Sequence, residues 1–100
     1  MKSAPKQLST KQIEKKLSQI SEWHLNKKLT EISKVFTFSS YVSGLAFVAK
    51  IAVHAELMQH HPVLELSYGK VVVTLTTHDT NGLSDKDFEL AKRIDGLRVD

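Results

Sequence analysis

SYVSGLAFVAKIAVHAELMQHHP, from Ser40 to Pro62, is the longest apolar-rich segment of the chain, and the flanking elements must pack around it. Ser39 or Ser40 can accept hydrogen bonds from the first free backbone N–H groups of a helix. The pattern predicts that helix to about residue 59. Val42, Leu45, Ala49, Ala52 and Val53 line one side, and Phe47, Ile51, Ala55 and Met58 another. A helix apolar over so much of its circumference has more than one partner. One face is expected to meet a sheet. The other, read as that of Phe47, Ile51 and Met58, is expected to be the outer face. Pro62 stops the helix, because the residue before proline is pushed out of helical geometry.

Downstream, residues 63–68 and 70–77 alternate around Gly69: Leu64, Leu66 and Tyr68 on one run, Val71, Val73 and Leu75 on the other. Period-two patterning with so short a separation predicts an antiparallel hairpin. Residues 78–83 read as a loop with the turn pair Asn81-Gly82. Ser84 and Asp87 have capping-box spacing, and Phe88, Ala91, Ile94 and Leu97 continue a third helix that ends near Asp95-Gly96. Upstream, Ser9 and Gln12 form another box, with Leu8 and Ile13 as its hydrophobic staple. Ile13, Leu17 and Ile20 give that first helix its stripe. Trp23-His24-Leu25 reads as a short strand, Asn26-Lys27-Lys28 as a turn, and residues 29–38 as a longer strand with Ile32, Phe36 and Phe38 on one face. The order α-β-β-α-β-β-α predicts an α+β domain: a four-stranded antiparallel sheet with three helices packed on one face. Residues 1–7 read as a flexible N-terminal arm and residues 8–100 as the single domain.

With 100 residues the chain holds one modest core. There is no cysteine, which excludes disulfides, thiolate metal sites and cysteine nucleophiles. No run of about eighteen apolar residues predicts a membrane span. The N-terminus lacks an apolar signal core, so a cytoplasmic address is expected. The net charge of +3 comes largely from lysines that do not alternate with aromatics, so a solvated face is expected rather than direct nucleic-acid binding.

His60-His61-Pro62 stands where the central helix ends, and His78 follows one hairpin later. A histidine at a helix C-terminus needs no function, since its cation complements the dipole. Two in succession and a third at a strand end call for more. Adjacent residues such as His60 and His61 point different ways on regular backbone, and His54 and Glu56 make no HExxH pair, so no metal site is expected. Glu56, at i, i+4 from His60, is placed to pair with that imidazole. Asp87 has its cap as a sufficient reason, yet a carboxylate there can also orient a histidine. Trp23 and Tyr68 are expected in the core; His24 and His54 carry no assigned role. No nucleophile elbow or phosphate loop is present. Imidazoles without metal or nucleophile suit proton transfer to a small bound molecule, as in dehydration or isomerisation.

Glu56-Leu-Met-Gln-His60-His61-Pro62, followed by Tyr68, His78, Gly82-Leu83-Ser84 and Asp87, resembles the signature of the pterin-4a-carbinolamine dehydratases. The likeness runs from the Trp23 strand to the third helix. It implies a hydro-lyase that removes water from 4a-hydroxytetrahydropterin to give quinonoid dihydropterin, recycling the pterin used by aromatic amino acid hydroxylases. By that resemblance His60, His61, His78 and Asp87 are catalytic, and Gln59, His60, His61, Thr76, Thr77, His78 and Asp79 contact the pterin, partly through backbone. Glu56 is supporting. No metal or other cofactor is implied. A homodimer or homotetramer is expected. Two departures stand out: Glu22 precedes the tryptophan where family members often have glycine, and Thr80 and Asn81 stand where small residues are common. Two other roles compete, a non-catalytic dimerisation or scaffold protein and a pterin-related task near molybdopterin synthesis. Relatives in animals bind a homeodomain transcription factor through the central helix.

Overall fold

The computed structural model describes residues 5–97. Residues 1–4 of the expected arm and 98–100 of the expected domain lie outside them. The element order is α1 (Thr10–Leu17), β1 (His24–Leu25), β2 (Ile32–Thr37), α2 (Tyr41–Met58), β3 (Val63–Ser67), β4 (Lys70–Leu75) and α3 (Asp85–Asp95). The strands form one antiparallel sheet in the order β1-β2-β4-β3. The α+β architecture is the expected one.

β4 occupies a central position because it is the strand that can be buried. Val71, Val73 and Leu75 all face the core and are fully buried. Phe36 on β2 and Phe38 just after it reach up to Phe47 on α2, with ring centroids 4.8 and 5.2 Å from that of Phe47. Gly44 lets α2 approach the sheet: a Cβ there would stand 3.0 Å from Leu66 Cδ1. The β3–β4 turn needs Gly69, whose φ is +80°. Leu83, Phe88, Leu90, Ala91 and Ile94 close the core from α3 and its entry loop.

Several boundaries move. α1 ends at Leu17 rather than Ile20, and β2 begins at Ile32 because Leu29 adopts φ 61°. A left-handed residue cannot continue a pleated strand. Residues 78–80 are not irregular loop but a single turn of 3-10 helix. Tyr68 is not core: it sits in the hairpin turn, 80% exposed. Trp23 is buried as expected, and its indole N–H donates to Asp95 Oδ2 at 3.0 Å.

The two faces of α2 are exchanged relative to the sequence expectation. Phe47, Ile51, Ala55 and Met58 are the inner face, with Phe47 only 1% exposed. The outer face carries Val42, Leu45, Val53 and Leu57. The larger side chains won the core because they fill more of the space between sheet and α3. By length and composition alone α2 could cross a membrane, with a mean hydropathy of 1.3. Its inner face is already committed to this domain's core.

Candidate active site

The end of α2 creates the site. Gln59 leaves the helix in the left-handed conformation, φ 52°, ψ 45°, and its side-chain amide donates to Glu56 O at 2.8 Å. The His60 N–H closes the turn on Ala55 O at 3.0 Å. This reversal swings His60 inward, while His61 stays outside. His60 is 8% exposed, and its Nε2 lies 2.6 Å from Asp87 Oδ1 on α3.

Asp87 is fully buried and both of its oxygens are engaged in hydrogen bonds. Oδ2 accepts from the Ser84 N–H at 3.0 Å and from Thr77 Oγ1 at 2.6 Å. The same carboxylate therefore caps α3 and meets the His60 ring. Buried carboxylates persist only when so compensated.

Glu56 does not pair with His60. Its carboxylate pairs with His61 Nε2 on the exposed side of the helix end. The i, i+4 rule assumes continuous helix, and the left-handed Gln59 has already turned His60 away.

His60, His61 and His78 line one open cavity of about 190 Å³, together with Gln59, Thr76, Thr77, Asp79, Pro5 and Lys86. All seven residues expected to contact a ligand are there; His24 and His54 are not. The two threonines have other engagements. Thr76 Oγ1 donates to Thr30 O at 2.6 Å. The Thr77 hydroxyl is spent on Asp87, and its N–H on Gly82 O at 3.1 Å. Thr77 acts as scaffold for the site rather than as a hydroxyl offered to a ligand.

Ser84, Lys86 and Pro5 also belong to the site or its support. Ser84 had a signal, its three-residue spacing from Asp87. Lys86 and Pro5 had none, since only the fold brings α3 and the N-terminal segment to the cavity mouth. Pro5 arrives there because Leu8 N–H bonds to Leu83 O at 2.9 Å.

Residues 6–97 match the family described as Pterin 4 alpha carbinolamine dehydratase. A relative from Trichodesmium erythraeum, provisionally named a pterin-4-alpha-carbinolamine dehydratase, is 43% identical across 90% of this chain and 95% of its own length. One from Acidobacterium capsulatum with the same provisional name is 44% identical over 91% of this chain and 97% of its own. Among solved structures, a transcriptional coactivator/pterin dehydratase from Brucella melitensis superposes with a TM-score of 0.84 at 28% identity, covering 89% of this chain and 95% of that one. A pterin dehydratase-like protein identified as a RuBisCO assembly factor in the alpha-carboxysome gives 0.64 at 27% identity, covering 74% and 86%. With its fold and nearly its whole length in agreement, the chain belongs to the pterin-4a-carbinolamine dehydratase family.

Proposed function

We propose that this protein dehydrates a 4a-hydroxytetrahydropterin to the quinonoid dihydropterin, without a metal or redox cofactor. The observation that carries the reading is the convergence of three imidazoles on one cavity, one of them braced by a buried carboxylate. The reaction needs two proton transfers. A base takes the N5 proton, the N5–H electron pair forms the N5=C4a double bond, the C4a–O bond breaks, and an acid delivers a proton to the departing hydroxyl, which leaves as water. His61 or His78 serves as the base, and another of the three histidines serves as the acid. Each such transfer typically contributes about 10²–10⁴-fold. Gln59, Thr76 and Asp79 complete the pocket, and Glu56 supports His61.

Stopped-flow decay of freshly generated 4a-hydroxytetrahydropterin tests this directly. The wild type accelerates the decay, and a folded His61→Ala, His78→Ala double variant does not. Absence of acceleration by folded wild type would remove the proposal.

A second reading concerns assembly. The contiguous outer face of α2, with Val42, Leu45, Val53 and Leu57 exposed, supports self-association into a homodimer or homotetramer. It is compatible with catalysis, because the histidine cavity does not include these residues.

A further inference from the structure

We propose that the hydroxyls of Thr77 and Ser84 form a directed hydrogen-bond chain that holds Asp87, and through Asp87 fixes the tautomer of His60. The four residues form a buried line from α3 to the cavity. Ser84 and Asp87 have no exposed surface, and Thr77 and His60 have almost none. Ser84 Oγ lies 2.7 Å from Thr77 Oγ1, Thr77 Oγ1 lies 2.6 Å from Asp87 Oδ2, and Asp87 Oδ1 lies 2.6 Å from His60 Nε2.

Counting hydrogens sets the direction. A hydroxyl has one proton to give. Thr77 gives its proton to the Asp87 carboxylate, which only accepts. In the Thr77–Ser84 contact the proton must then come from Ser84. The chain runs Ser84 to Thr77 to Asp87 and cannot reverse while Asp87 is a carboxylate. At the other end, an imidazole nitrogen is a stronger base than a carboxylate oxygen, so the proton between them sits on Nε2. Neutral His60 is thereby left with its lone pair on Nδ1. Only Nδ1 can exchange a proton with a bound molecule.

Thr77 and Ser84 are positioning residues in this account. They touch the carboxylate and each other, and act on the cavity through His60. Ser84 also gives Asp87 a backbone N–H, which a Ser84→Ala change keeps, so that half of the capping box survives while the box loses the Ser84 hydroxyl and the hydroxyl chain its first member.

The proposal rests on the dehydratase reading for its consequence in turnover, but the chain itself can be observed without turnover. Long-range ¹H–¹⁵N correlation spectra of the whole protein report which nitrogen of each histidine carries hydrogen. Wild type is expected to show His60 as a single Nε2–H tautomer. Ser84→Ala and Thr77→Val are each expected to turn this into a mixture, and Thr77→Ser to preserve it. In turnover, the first two lose about tenfold in kcat, the worth of one buried hydrogen bond, with KM nearly unmoved. Near-ultraviolet circular dichroism identifies which variants are folded. Should Thr77→Val fail to fold, Ser84→Ala carries the test. A wild-type Nδ1–H tautomer, or a His60 spectrum unchanged in the folded variants, overturns the proposal. An Nε2–H tautomer lost in the variants, in a wild type that does not dehydrate pterins, upholds the chain and removes only the dehydratase reading.

Discussion

Glu56 and His61 pair across the exposed end of α2, carboxylate to Nε2, while His60 one residue earlier turns inward to Asp87. Two adjacent imidazoles thus have separate carboxylates, one in water and one in the core. The exposed pair is worth little to stability, because solvent screens both charges. Its consequence is orientation of His61 at the cavity rim. Glu56→Gln is expected to change unfolding free energy by less than about 0.5 kcal/mol. It is expected to lower kcat by up to about tenfold with little change in KM, since orientation acts on rate. Urea melts and steady-state kinetics check the two halves. A kcat equal to wild type would remove the orienting role.

Exchange of the α2 faces makes a contrast that denaturation can read. Phe47 is 1% exposed and touches both Phe36 and Phe38, so Phe47→Ala should cost about 3–5 kcal/mol. Leu57 is 71% exposed, and Leu57→Glu should cost less than about 0.5 kcal/mol in a monomer. If the outer face is where two copies meet, light scattering will show Leu57→Glu shifting mass toward monomer. A monomeric wild type would end the assembly reading.

The sheet, the helix order and the histidine trio could be read from the chain because each has a local signal. Alternation marks β4, capping spacing marks α1 and α3, and His60-His61-Pro62 marks the end of α2. What could not be read depends on distant partners. Which stripe of α2 is inner follows from Phe36 and Phe38 on and just after β2, and periodicity treats both stripes alike. The partner of Glu56 follows from the left-handed Gln59, a conformation that no motif announces. Lys86 and Pro5 reach the cavity through tertiary packing alone.

Trp23 ties the strand side of the domain to the end of α3. Its N–H donates to Asp95 Oδ2 at 3.0 Å, and Lys34 Nζ holds Asp95 Oδ1 at 2.8 Å. Trp23→Phe keeps most of the ring and removes the donor. Asp95 retains Lys34, so the loss should be that of one hydrogen bond, about 0.5–1.5 kcal/mol, plus some packing. Chemical denaturation followed by far-ultraviolet circular dichroism measures it, because the change removes the one tryptophan. A loss above about 4 kcal/mol would mean that packing of the indole, not its hydrogen bond, dominates.

Glu22 adopts φ 67° immediately before the buried Trp23. A side chain in that left-handed region costs roughly 1–2 kcal/mol, which glycine avoids. Glycine in turn gives the unfolded chain more freedom, a penalty of about 0.4–1 kcal/mol. Glu22 is exposed and forms no ion pair among the described residues, so little else is lost on replacement. The strain term exceeds the entropy term. Glu22→Gly is therefore expected to stabilise the protein by up to about 1.6 kcal/mol, seen as a higher urea midpoint at unchanged slope. Glu22→Ala keeps the left-handed strain and should show no such gain. A lower midpoint for Glu22→Gly would mean that the glutamate side chain contributes more than its exposure indicates.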